Sequence, residues 1–468
     1  MRQKAFRASL SAFRIVLLGW MVLSASWLAA QQKSADLIFH NGKVLTVDAR
    51  FSVAQAVAVV GNEITAVGGD QDVMKLASPN TTVIDLKGRT VIPGLIDTHR
   101  HIFAANYDGT MTPEKMRQYP VDWRAVKTTG DVLNQVKGLM DKYKFKPGQW
   151  VFIVSQGLQI MGAGSGQETQ TKILFSDLNR WELDKVAPDN PMLMTLGTPD
   201  QNGMLINSKA LDTIMDKYGD FLKRYGRLWL DASGRPDGHI EPPATRLVRN
   251  MTPGPDPADL GPQFKMTLDE LAAMGITTVS TQLTDHLLEP YQWLESQGQM
   301  TVRLGYGRAS DFGAVVDLTQ MRDLARLQGT GTDKIWVTSI TAGAVDGAGS
   351  RTCMSVQRQT AFGAIDEWWP IGQCHMDSEY RGGGGAGVGA ARTPANYFRD
   401  WVLESGNSGV RFANTHVGGD RSVSLMLSLA DQAQKQGGPN ATRGWALDHC
   451  SFVNPRDFKE SRPLGNHL

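Results

Sequence analysis

The chain has 468 residues, with 48 Lys+Arg against 47 Asp+Glu and a formal charge of +1. So even a balance excludes the strong field that would gather nucleic acid or an acidic partner. The apolar and aromatic shares, 41% and 8%, are ordinary for a globular protein, and the length suffices for a full core.

Residues 1–30 stand apart. Arg2, Lys4, Arg7 and Arg14 precede the apolar run "IVLLGWMVLSASWLAA" (residues 15–30), and the polar "QQKSAD" follows. This is the pattern of a secretory signal, with cleavage expected after Ala30 and a secreted or periplasmic product. An uncleaved N-terminal anchor is the alternative, although the run is short for a span of roughly 20 residues. No later stretch reads as membrane-spanning, so no membrane association is expected after cleavage.

From residue 31 to 90 the pattern is β. "DLIFHNGKVLTVD" places short apolar runs on either side of Asn41-Gly42, which predicts a hairpin. "AVAVVGNEITAVG" repeats this around Gly61-Asn62, and "TTVIDLKGRTVIPG" adds a strand and a Lys87-Gly88 turn. A small β-sandwich module is expected here.

Beyond Val91, strand-like runs alternate with helical stretches. Strands are predicted for "WVFIVSQG", "PMLMTLG", "ITTVSTQ", "TVRLGYG", "KIWVTSITAG", "GVRFANTH" and "WALDHC". Helices are predicted for "MTLDELAAMG", "LTQMRDLARLQG" and "SVSLMLSLADQAQKQGG". Such alternation implies a parallel sheet, and this many units points to a (β/α) TIM-like barrel spanning residues 91–468. Residues 105–270 exceed one barrel unit, so an inserted subdomain is expected at about residues 120–250. The run "RGGGGAGVGAAR" (381–392) does not follow a strand and open a helix, so it reads as a loop and not a nucleotide cradle.

Cys353, Cys374 and Cys450 show no CxxC spacing, which argues against a disulfide framework or a cysteine zinc site. A single bridge stays open in an oxidising compartment.

The chemistry concentrates in histidines. "VIPGLIDTHRH" ends in His99 and His101, two residues apart and therefore on one face of a strand. His416 and His449 fall at the ends of two later predicted strands. Singly, each is explained as a structural residue. Together at strand ends, where barrels gather their catalytic groups, they point to a metal site, since neutral imidazoles suit zinc and related ions. His40, His239, His286, His375 and His467 are read as turn, loop or terminal residues outside the site.

"VIPGLIDTHRH" resembles the first-strand signature of the amidohydrolase superfamily, and the preceding β module resembles its small sandwich. The likeness extends to "LDKVAPDNPMLMTL", "INSKAL", "SGRPDGHIE", "MGITTVS", "DGAGSRT", "THVGGDRSV" and "LDHC", in that order. These stretches are similar to the branch that includes N-substituted formamide deformylases, amidohydrolase family 3. The resemblance implies a metal-dependent hydrolase of non-peptide amide bonds. His99, His101, His416 and His449 would hold a divalent metal, zinc first, which acidifies water and polarises a carbonyl. A small amide-like molecule would be the substrate. A homo-oligomer is compatible with the family. Asp420 and Arg421, just beyond His416, would orient ligands or substrate, with helix capping as the equal alternative.

The chain departs from the family pattern in three places. Ala342 stands where the family carries a lysine that bridges two metals, so one ion is the first expectation and a pair the alternative. Glu241 is a candidate substitute carboxylate or substrate contact, or else a surface residue. Asn202 replaces a histidine; it can hydrogen-bond substrate but cannot shuttle a proton near neutrality. After "LDHC" the family has further barrel strands and a last-strand aspartate. Here the tail "NPRDFKESRPLGNHL" offers only Asp457, in a polar, loop-like setting. The sequence therefore predicts a C-terminally truncated barrel with impaired hydrolysis. A catalytically inactive, amidohydrolase-like binding protein or gene fragment is the competing expectation.

Overall fold

The computed structural model describes residues 34–102, 109–158, 168–196, 203–225, 227–241, 244–309, 321–341, 345–346, 353–355, 397–411, 413 and 415–461. The expected signal, Asn202, Ala342, His375, the glycine-rich run and His467 lie outside these residues. The chain divides into two compact units, Met1–Gly94 and Leu95–Leu468.

The first unit is built from β1 (Leu37–His40), β2 (Lys43–Leu45), β3 (Val53–Ala54), β4 (Ala56–Val60), β5 (Glu63–Gly68), β6 (Thr82–Asp85) and β7 (Thr90–Val91). One sheet runs β5-β4-β1-β6 and the other β3-β2-β7. The hairpin around Gly61-Asn62 forms as predicted, with Val60 opposite Glu63 and Gly61 at φ 58°, a value glycine adopts freely. The other two turns are corners instead. β1 pairs with β4 and β6, while β2 pairs with β3 and β7. Asn41-Gly42 and Lys87-Gly88 thus each carry the chain from one sheet into the other. Asn41 (φ 55°) and Lys87 (φ 51°) supply the sharp bends, and the two corners bond to each other through Leu86 N–H to His40 O (2.9 Å) and Gly88 N–H to Asn41 O (2.7 Å). Ile38, Ala56 and Ala58 are buried against Val73 and Leu76 of a short helical turn.

The second unit begins with β8 (Leu95–Asp97). It continues with β9 (Tyr119–Asp122), β10 (Val151–Gln156), β11 (Met192–Thr195), β12 (Met204–Ile206), β13 (Arg227–Leu230) and β14 (Pro236–Glu241). These last strands form a mixed sheet in the order β13-β14-β12-β11-β10-β9, parallel from β9 to β11 and antiparallel beyond. Its core holds Trp123, Ile153 and Leu183, with Val132 and Val136 from the helix Thr129–Tyr143. That helix starts at a capping box, in which Thr128 and Asp131 satisfy each other's backbone N–H.

Then follow β15 (Ile276–Leu283), β16 (Arg303–Ala309), β17 (Ile335–Thr341), β18 (Thr415–Val417) and β19 (Leu447–His449). β17-β16-β15-β8 form a wholly parallel sheet, and β18-β19 a parallel pair. Helices connect these strands, as the alternating pattern predicts. The helix Pro257–Ala273, capped by Asp256, buries Leu260, Phe264, Leu268 and Leu271. That spacing places all four on one face, in the same core as Val279, Leu294 and Leu304. The protein is thus α/β, and the strands that lead to His99, His101, His416 and His449 lie in sheets that are wholly parallel. Among the described residues no helix is long and apolar enough to cross a membrane.

Three assignments change. His239 lies on β14 and His286 in the helix Asp285–Ser296, not in loops. Asp457 is fully buried in the helix Pro455–Ser461, where its carboxylate accepts the Ser424 hydroxyl at 3.0 Å. Burial of Ser461 and Asp457 on one helical face draws the tail into structure that its polar composition hides. Cys353 is disulfide-bonded and Cys450 is a free thiol, so a bridge is present without a framework.

Candidate metal centre

β8 delivers the first two histidines, although neither lies on the strand itself. The ladder with β15 ends at Asp97 opposite Val279, and the chain bends from Thr98. Arg100 N–H still reaches Ser280 O at 2.9 Å, and Asp97 accepts the His99 N–H at 3.2 Å. Past the site, buried Ile102 anchors the segment, and its carbonyl accepts the Tyr291 hydroxyl at 2.6 Å. Held at both ends, His99 and His101 turn to one side, with their Nε2 atoms 3.1 Å apart.

His416 and His449 come from the parallel pair β18 and β19, in which His416 stands opposite Asp448 and Val417 opposite His449. Neighbours on a strand normally face opposite sides. His449 escapes this alternation because its backbone is left-handed, at φ 77°, and Cys450 follows at φ 41°. Non-glycine residues held there cost about 1–3 kcal/mol each. The result is that Asp448 and His449 both reach His99. The His449 ring centroid is 4.6 Å from that of His99 and 4.7 Å from that of His416.

Behind His416 sits Asp346, fully buried. Its carboxylate accepts the N–H groups of Cys353 (2.8 Å), Gly418 and Gly419 (2.9 Å), and the Ser422 hydroxyl (2.8 Å). The adjacent Val345 N–H bonds to the His416 carbonyl at 2.8 Å. Gly419 lies so close to the Cys353 backbone that no Cβ would fit.

The donor atoms of His99, His101 and His416 all lie within 4.8 Å of one another. Nε2 of His101 is 2.9 Å from Nε2 of His416 as well as 3.1 Å from that of His99. An imidazole nitrogen donates or accepts one in-plane hydrogen bond, so these two contacts cannot both be hydrogen bonds through the same atom. A cation between the nitrogens would satisfy every lone pair at once. On the other side of His99, Asp448 Oδ2 is 2.8 Å from Nδ1. A carboxylate accepts, so Nδ1 carries the proton and Nε2 keeps its lone pair. Burial is the main cause that pushes both His101 and His449 below the ordinary imidazole value, and any charge on neighbouring His99 would add to it. That favours the neutral form, which is the one that binds metal. The donor set therefore fits a divalent metal of the kind imidazoles hold. Cys450, by contrast, is pushed up to about 11 by burial and remains a thiol.

Asp420 opens the helix Asp420–Gly437, and its carboxylate accepts the Ser355 N–H at 2.9 Å together with the Ser355 hydroxyl. Arg421 follows it, exposed, in the first turn. Glu241 closes β14 opposite Arg227. His239 is buried with Nε2 2.8 Å from Leu174 O and Nδ1 3.1 Å from Asp237, its ring stacked on Trp229 at 4.8 Å. It belongs to the packing of the mixed sheet. Sequence reasoning missed Asp448 and Asp346. Asp448 lies 349 residues from its partner His99, and no local signal links the two.

Residues 82–466 match the model of a family described as the amidohydrolase family. An N-substituted formamide deformylase from Arthrobacter pascens is 30% identical over 225 residues, which is 46% of this chain and 36% of that protein. An enamidase from Eubacterium barkeri is 40% identical over 76 residues, 16% of this chain and 19% of that one. The chain thus spans well under two thirds of these relatives' lengths. Among solved structures, a metal-dependent hydrolase from Pyrococcus horikoshii OT3 aligns over 92% of this chain and 73% of its own, with 16% identity and a TM-score of 0.47.

Proposed function

Because the chain belongs to the amidohydrolase family, we propose that it is a metal-dependent hydrolase acting on carbon–nitrogen bonds of small, non-peptide amides. The observation that carries this reading is the convergence of three imidazole nitrogens within 4.8 Å. His99, His101 and His416 would hold the ion, and His449, whose ring packs against two of them, completes the candidate set. Zinc suits such neutral nitrogen ligands, with iron, nickel and related ions as competitors. A divalent ion bound there supplies Lewis acidity toward a carbonyl oxygen and lowers the pKa of water.

The likeness to an N-substituted formamide deformylase makes N-substituted formamides the first substrates to try. The parallel strands β8, β15, β16 and β17, with the pair β18 and β19, support assigning this part to a (β/α) barrel whose strand ends carry the site. Residues 1–30 support export, through their basic start and apolar core.

The test is direct. The purified chain, loaded with zinc, is assayed on N-substituted formamides, N-acyl amino acids and cyclic amides. Chelator-sensitive hydrolysis restored by zinc is the expected result. A chain that takes up no divalent metal overturns the reading. Metal uptake without turnover across the panel would favour a binding role instead.

A further inference from the structure

We propose that Asp448 is the positioning residue of the metal centre, fixing the tautomer and orientation of His99. The inference rests on the metal reading of the histidine cluster and extends it to a residue outside the ligand set.

The Asp448 carboxylate and the His99 imidazole meet at 2.8 Å, with both side chains largely shielded, at 18% and 20% exposure. The contact is made by Nδ1, the nitrogen turned away from the cluster, while Nε2 is the atom 3.1 Å from His101. An ionised carboxylate is acceptor-only, so it selects the tautomer with the proton on Nδ1 and directs the Nε2 lone pair to the ion. Metal-binding histidines characteristically donate their second N–H to such a partner, which raises their basicity and locks the ring. Geometry at β19 supports a dedicated role. Asp448 stands in register with His416, so the strand that places one ligand's neighbour also places the carboxylate. The left-handed turn at His449 (φ 77°) then lets the next residue approach the same ring. Asp448 thereby ties the segment after β8 to the end of β19 at the site itself.

The experiment compares wild type, Asp448→Asn, Asp448→Ala and Asp448→Glu. Zinc affinity is measured by competition with a chromophoric chelator, and melting temperature is measured on the metal-free proteins. Nitrogen-15 imidazole spectra of the metal-free wild type report the His99 tautomer. The expected outcome is an Nδ1–H tautomer, zinc binding weakened about 10–100-fold in Asp448→Asn and Asp448→Ala, a lowered but still cooperative apo melt in both, and partial recovery of zinc affinity in Asp448→Glu. Wild type that binds zinc while both substitutions bind it equally tightly overturns this inference alone. An Nε2–H tautomer of His99 in the wild type also overturns it, whether or not the variants fold. A wild type that binds no zinc overturns the metal reading and this inference together.

Discussion

The rings of His101 and His416 lie parallel, 5° apart in plane and 4.8 Å between centroids, although 315 residues separate them. Their Nε2 atoms approach to 2.9 Å, an arrangement in which two lone pairs repel unless a proton or a cation lies between them. This makes the pair the most sensitive reporter of metal binding. His101→Ala and His416→Ala are each expected to abolish tight zinc uptake. Stripping wild type with a chelator should lower its melting temperature, and added zinc should restore it, because a ligand that binds only the folded state stabilises it. Calorimetric titration and thermal melts check both points; tight binding retained in either variant counts against the site.

Asp346→Ala should destabilise the protein by about 2–4 kcal/mol, since a buried carboxylate that satisfies several donors leaves each of them orphaned. Three of those donors are backbone N–H groups of Cys353, Gly418 and Gly419. Because Gly418 is two residues past His416, zinc affinity should fall as well. Gly419→Ala should be similarly harmful through its clash with the Cys353 backbone. Urea unfolding combined with zinc titration measures the two effects.

Tyr291→Phe removes the hydroxyl that Ile102 O accepts at 2.6 Å in a fully buried setting. A loss of about 1–3 kcal/mol is expected, the cost of leaving a buried carbonyl unmatched. The same change frees the chain just after His101, so zinc should dissociate faster. Stopped-flow release into a chelator would show this, and an unchanged release rate would mean that the segment is held by other contacts.

His239→Ala offers the contrast. It leaves Leu174 O without its partner and a void beside Trp229. Stability should drop by about 2–4 kcal/mol, from cavity and lost hydrogen bond combined. Zinc stoichiometry should stay that of the wild type. A variant that folds but loses a metal equivalent would place His239 in a metal site after all.

Several features were legible in the sequence for local reasons. β-branched runs such as "ITTVSTQ" and "KIWVTSIT" mark β15 and β17, because a strand's preference lies in its own side chains. "MTLDELAAMG" marks a helix through Leu268 and Leu271, although the observed helix begins nine residues earlier, at Pro257. "HRH" announced a pair of candidate ligands, since residues two apart can converge.

The tertiary structure decided what depends on partners far along the chain. Asn41-Gly42 and Gly61-Asn62 are similar turn signals, yet one bridges two sheets and the other closes a hairpin. The difference lies in which distant strands, β6 and β7, claim the neighbouring edges. Asp457 looked solvated until a helical face buried it. Asp448 shows the principle most sharply. By itself it is one of the chain's many carboxylates, and it acquires a role only because folding brings it across 349 residues to His99. Local sequence sets which conformation each segment prefers. Burial and pairing between segments determine which side chains finally meet, and that information is carried by the whole chain at once.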